Sequence, residues 1–178
     1  MKNATELLST YKSVHLNHTN LLTHCGGIPL IITAVIVILN TIKIPLGSVG
    51  TLPLSVPCIA AVLFYYCFVH WALAVGALLF VLLLYVLASV FNTLPQPLWW
   101  AVGLFVAGWL LQFIGHYYER ARPAFFDDLK QLLIGPLFLI AELYFLMGFQ
   151  FVSHTEIEQQ ARQKRKLLST SNQIPPQQ

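Results

Sequence analysis

From Ile44 to Tyr118 the chain runs for 75 residues without an Asp, Glu, Lys or Arg. A water-soluble fold of that length needs charged side chains at its surface, because ionised groups are almost never fully buried unless paired. Lipid removes that requirement. The remaining composition agrees: 57% hydrophobic and 10% charged, against roughly 45–50% and about 25% in soluble domains. In hydrocarbon every backbone polar group must be bonded within the protein, which a helix does locally. The expected fold is therefore all-α, a polytopic membrane helical bundle of four to five transmembrane or re-entrant helices.

Apolar runs near the ~20 residues needed to cross a bilayer begin at Ile28–Ile44, Leu54–Val69 and Ala72–Phe91. A fourth runs from Leu98 to about Tyr118, and a fifth stretch covers Leu132–Val152. Trp99 and Tyr117 lie 18 residues apart, which at ~1.5 Å per residue is the spacing of two interfacial aromatic belts. Three segments follow from this pattern: 1–27, an N-terminal polar, interfacial helix; 28–152, the helical membrane domain; and 153–178, a polar basic tail. The tail reads as a helix to about Leu168, then a Ser/Gln/Pro-rich end expected to be disordered. A net charge of +3 without a basic, aromatic-interleaved stripe excludes nucleic acid as a partner. Arg162, Lys164, Arg165 and Lys166 are expected to meet anionic lipid headgroups or to set topology.

Four crossings return the chain to the face it started from. His15, His18 and His24, before the first span, can then meet His116 and Glu119 at the end of the fourth. On one straight helix His15 and His24 would point in nearly opposite directions. Either the helix stops before Cys25-Gly-Gly27, or it bends between the two histidines. The structural alternative is an amphipathic interfacial helix with incidental histidines. His116 and Glu119 are adjacent on a helix face at i and i+3, with Gln112 one turn earlier. Arg120 and Arg122 beside Asp127 and Asp128 read as surface pairs or as a carboxylate-binding patch. Glu142 lies within the fifth apolar stretch, where an ionisable side chain points to a functional role or to a buried interhelical hydrogen bond.

Imidazoles with carboxylates at one membrane face suit zinc, copper or iron. Cys25 alone nearby disfavours a structural zinc site, and two His with one carboxylate would fit non-haem Fe(II) and oxygen. Two classes remain: a metal-dependent oxidoreductase, or a non-catalytic membrane protein that binds or transports a divalent metal cation.

Two separated motifs narrow the choice. Tyr11-x3-His15-x-Asn17-x2-Asn20-x3-His24-x4-Pro29 is followed by Gly108-Trp-x2-Gln-Phe-x-Gly-His116-x2-Glu119, then Arg122-Pro-Ala and Pro136-x5-Glu142. In this order the pattern, from about Tyr11 to Phe149, resembles the 2-hydroxy fatty acid dioxygenases, whose fungal member acts in phytosphingosine breakdown. The resemblance implies Fe(2+)-dependent alpha-oxidation, with a 2-hydroxy fatty acid and O2 giving the acid one carbon shorter and CO2. It implies His15, His24 and His116 as metal ligands. Glu119 or Glu142 would be a further ligand, a proton acceptor or a support. Asn17, Asn20 and Gln112 would orient imidazoles, and Arg122 would hold the substrate carboxylate. The expected location is the inner membrane of a bacterium or the endoplasmic reticulum of a eukaryote, with the site on the cytosolic face.

Overall fold

The computed structural model describes residues 3–120 and 130–170. Among them are seven α-helices and one short hairpin. In order they are α1 (Ala4–Lys12), α2 (His18–Thr41), β1 (Lys43–Pro45), β2 (Thr51–Pro53), α3 (Ser55–Val69), α4 (Trp71–Thr93), α5 (Pro97–Glu119), α6 (Gln131–Leu146) and α7 (His154–Thr170). The protein is an all-α helical bundle of membrane type. α2, α4 and α5 are long and apolar enough to cross a bilayer, whereas α3 and α6 are shorter apolar helices. Leu79, Leu83 and Val86 of α4 are exposed, as lipid-facing residues would be, and so are Trp99 and Tyr117 at opposite ends of α5.

The helix break falls between the two histidines, and it lies earlier than Cys25-Gly-Gly27. α1 ends at Lys12, and the turn after it is tightened by bonds from the Val14 and His15 amides to the Tyr11 and Lys12 carbonyls. α2 restarts where Asn17 caps it, its side-chain oxygen accepting from the Thr19 amide at 2.8 Å. Asn is among the strongest N-caps. α2 then continues through both glycines and Pro29 to Thr41, so the first apolar helix starts ten residues before the apolar run at Ile28. Within this continuous helix the glycines serve packing.

α2 and α5 share the most extensive helix interface, and Gly27, Gly108 and Gly115 make it close. Small residues let helix backbones approach in apolar surroundings. A methyl group on Gly108 would lie 2.9 Å from the Gly27 carbonyl and 3.1 Å from the Ile31 amide nitrogen. Backbone atoms cannot step aside, so Gly108→Ala is expected to cost about 1–3 kcal/mol through overpacking. Gly103→Ala on the same helix would meet nothing within 4 Å and should leave the melting temperature in detergent unchanged or slightly raised. Equal effects of the two substitutions would contradict this account of the interface.

α6 does not lead the chain away from the site. Leu133 near its start accepts a hydrogen bond from the Tyr66 hydroxyl (2.6 Å), and Tyr144 near its end donates to the Ala72 carbonyl (3.0 Å). Tyr66 and Ala72 flank the α3–α4 junction, so both ends of α6 stay at one end of the bundle. α7 then packs on α1. This differs from a wholly lipid-facing basic tail. Lys164 donates to the Glu6 carbonyl and to the Ser9 and Thr10 hydroxyls, and Arg165 is buried, while Lys166 is exposed. Ile157, Ala161 and Arg165 recur every fourth residue, which puts them on one helix face, and that face is the buried one. The 171–178 end lies outside the described residues.

Lys12 and Glu158 fasten α7 to α1 at 2.8 Å. Burial works to raise the Glu158 carboxyl, but the hydrogen bond and charge of Lys12, with Arg162 and His154, hold it below its ordinary value of 4.5. A carboxyl lowered by folding contributes stability above its unfolded pKa and loses that contribution as the pH falls through its folded value. The protection factors of α7 amides, taken relative to intrinsic exchange at each pH, are therefore expected to fall as the pH drops below about 4.5, less so in Glu158→Gln. Protection in the wild type that does not change with acid would refute this link.

Candidate metal centre

Three imidazoles meet where α1, α2 and α5 converge. His15 sits in the turn after α1, His24 lies in the second turn of α2 and His116 in the last turn of α5. All three are buried, and their candidate ligating nitrogens lie within 4.8 Å of one another. The ring of His15 is 4.5 Å from that of His24 and 4.8 Å from that of His116, centroid to centroid. Tyr11 stacks on His15 at 4.0 Å with the planes 4° apart, and Phe138 of α6 lies beyond both.

The hydrogen bonding determines which nitrogen is free. His15 Nδ1 faces the Tyr11 carbonyl at 2.6 Å, and His24 Nδ1 faces the Asn20 carbonyl at 2.9 Å. A carbonyl oxygen only accepts, so each Nδ1 carries the hydrogen and each neutral ring presents a lone pair at Nε2. These two Nε2 atoms are 3.1 Å apart. Burial, and then the neighbouring His24 and His116, hold His15 well below the usual imidazole range, although its bond to Tyr11 acts in the opposite direction. A proton is therefore a poor occupant of the gap. Two facing lone pairs beside a third imidazole fit a metal cation, and the backbone bonds at Nδ1 are the outer-shell contacts that orient ligating histidines. Imidazole donors suit Zn, Cu, Fe and Ni.

The carboxylates stand outside this cluster. Glu119 is fully buried and accepts from the Asn17 amide at 2.7 Å and the Asn20 side chain at 3.2 Å. Asn20 also donates to the Val14 carbonyl at 3.2 Å, next to His15. One carboxylate thus ties the end of α5 to the turn and helix start that carry His15 and His24. Arg165 of α7 backs this arrangement. Its guanidinium donates to the Glu119 carbonyl at 3.0 Å and the Ser13 carbonyl at 3.5 Å, and lies 3.6 Å from the Glu119 carboxylate. Glu142 is half-buried and paired with Lys12 at 2.6 Å. Arg122, Asp127 and Asp128 lie outside the described residues, and Arg120 is exposed. His18 and His154 are also away from the cluster, as is His70 beside Trp71.

An apolar cavity of about 340 Å³ opens from the three histidines between α2, α5 and α6. Gln112 and Gln131 are the amides in its wall, each buried with one side-chain atom (Gln112 Nε2, Gln131 Oε1) that has no hydrogen-bond partner among the described residues. Leaving such atoms bare costs about 1–3 kcal/mol each, which suits a wall that meets a polar ligand group. Sequence reasoning passed over Gln131 and Arg165. Arg165 could have been found from the fourfold spacing of the buried face of α7; nothing local marks Gln131.

A membrane-type helical bundle with a buried tri-histidine cluster that could hold a metal ion, opening onto an apolar cavity, defines the class. Residues 1–147 match the family described as Mpo1-like, 2-hydroxy-palmitic acid dioxygenase Mpo1-like, and the chain belongs to that family. It is similar to the 2-hydroxy-palmitic acid dioxygenase MPO1 of Saccharomyces cerevisiae, with 32% identity over 171 residues covering 93% of this chain and 94% of the yeast protein. No solved structure matches the chain.

Proposed function

We propose that this protein is an Fe(2+)-dependent dioxygenase that converts a 2-hydroxy fatty acid and O2 into the fatty acid one carbon shorter, CO2 and water. The reaction balances without another reductant: the 2-carbon rises from alcohol to carboxylic acid, the old carboxyl leaves as CO2, and O2 accepts all four electrons. The observation that carries the proposal is the pair of facing Nε2 atoms of His15 and His24 at 3.1 Å, joined by His116 at the mouth of an apolar cavity. The similarity to the yeast enzyme supports the choice of substrate class.

His15, His24 and His116 would hold the ion, and bound Fe(2+) would supply the redox couple and open positions for oxygen chemistry. The chain's own residues do the rest. Glu119 positions the imidazoles by holding Asn17 and Asn20, and Arg165 keeps that carboxylate in place. Gln112 and Gln131 take the polar head of the substrate. Glu142 holds Lys12 at the end of α1, close to the His15 turn. The apolar wall excludes water from the reacting carbon and receives the chain. The described charges of α1 and α7 lie together near the histidine turn, and the positive-inside tendency supports a site on the cytosolic side.

Formation of pentadecanoate from 2-hydroxypalmitate by iron-reconstituted protein, with zinc-reconstituted protein inactive, tests the proposal. Accumulation of divalent metal in proteoliposomes without any shortened acid would favour cation transport instead. That reading is weakened by Glu142, the acidic residue that would line a pathway, being paired with Lys12.

A further inference from the structure

A second apolar cavity, about 240 Å³, lies between α2, α3 and α4 under the start of α6. It adjoins the histidine cavity, since Ile31, Ile32, Val35, Leu132 and Pro136 line both. The two form one trough along α2. Polar groups gather at one end, where the three histidines, Gln112 and Gln131 stand. The far end is lined by Leu39, Cys58, Ile59, Val62 and Phe80, and the Tyr66 hydroxyl in that wall is already spent on Leu133. From His24 to Leu39 is fifteen residues of one helix, or about 22 Å at 1.5 Å per residue. That exceeds the ~15 Å of hydrocarbon in one leaflet, half of the ~30 Å core. Val35 and Leu132 on the shared rim are 40% and 45% exposed, so the trough opens sideways, toward lipid.

We propose that this second cavity is the tail pocket for a single-chain amphiphile whose head lies at the three histidines, and that Ile59 and Val62 on its α3 wall set the longest chain accepted. The proposal rests on the function argued above for the choice of head group. A shallow groove filled by bulk lipid would not need to join the polar cavity, whereas a substrate pocket must. Entry is lateral, from the leaflet that the trough faces, so a free acid dissolved in the membrane reaches the site without crossing water.

Ile59→Trp and Val62→Trp fill the pocket. Against 2-hydroxyhexadecanoic acid their kcat/KM should fall by on the order of 10-fold or more, since one methylene displaced from an apolar pocket is worth about 10–200-fold. Against 2-hydroxydecanoic acid they should stay close to wild type, and Leu79→Trp, on the lipid face of α4, should leave both unchanged. An unaltered ratio of long to short acids in the folded variants overturns the pocket. A second measurement does not depend on turnover. A 2-hydroxyhexadecanoic acid with a diazirine at its tail, irradiated on metal-loaded wild-type protein, should label residues 58–63 of α3. Label confined to the outer face of α4 overturns the pocket, while label in α3 without any turnover leaves the pocket standing and removes the reaction.

Discussion

His24→Ala and His116→Ala are each expected to lose stoichiometric iron, and turnover with it. Changes to outer-shell groups alone typically cost about 10–100-fold in metal affinity or activity, and removing a ligand should exceed that. The thermal signature is more discriminating than the activity. A metal that binds only the folded chain stabilises it, by about 2.7 kcal/mol when present at a hundred times its Kd. A chelator should therefore lower the melting temperature of the wild type and leave those of His24→Ala and His116→Ala where they are. His18→Ala, at an exposed position, should behave as wild type in both assays. A variant lacking His24 that keeps full iron and activity would refute the ligand set.

The second large effect is expected at the buried pair behind the ligands. Arg165→Leu removes a buried cation from beside the Glu119 carboxylate, and Glu119→Leu removes the carboxylate from beside the guanidinium. Breaking a buried pair from one side costs roughly 3–5 kcal/mol. Glu119→Leu also frees the Asn17 amide and the Asn20 side chain, so it should weaken iron binding more than Arg165→Leu at equal loss of stability. The double variant should be less damaged than the sum of the two, because residues in contact couple and the second substitution breaks a contact the first has already removed. Additive losses in chemical unfolding would show that the two residues act separately.

Much of this arrangement was legible in the sequence for a simple reason. Long uncharged runs fix where helices cross lipid, and counting crossings brought His116 back to His24. The break between His15 and His24 was legible as a geometric necessity, yet its place was not, because Cys25-Gly-Gly27 looks like a helix breaker and Asn17 looks like an ordinary polar residue. In the fold the glycines serve contact between α2 and α5, and the asparagine starts the helix. Glu142 was legible only in part: an ionisable group inside an apolar run points to an interhelical bond or a functional role, but its partner Lys12 lies 130 positions away, beyond any local pattern. Arg165 was hidden among basic neighbours. Its burial depends on α7 folding back onto α1, which follows from α6 keeping both ends at one end of the bundle.

The central claim is that the three histidines serve a four-electron oxidation of a 2-hydroxy acid by O2 alone. The most direct measurement is the stoichiometry in purified, Fe(2+)-loaded protein given 2-hydroxypalmitate in a closed oxygen cell with no added reductant. One O2 consumed for each pentadecanoate and each CO2 formed is the result expected. Oxygen uptake that stops without a reductant, or iron-loaded and folded protein that yields no pentadecanoate, would contradict it.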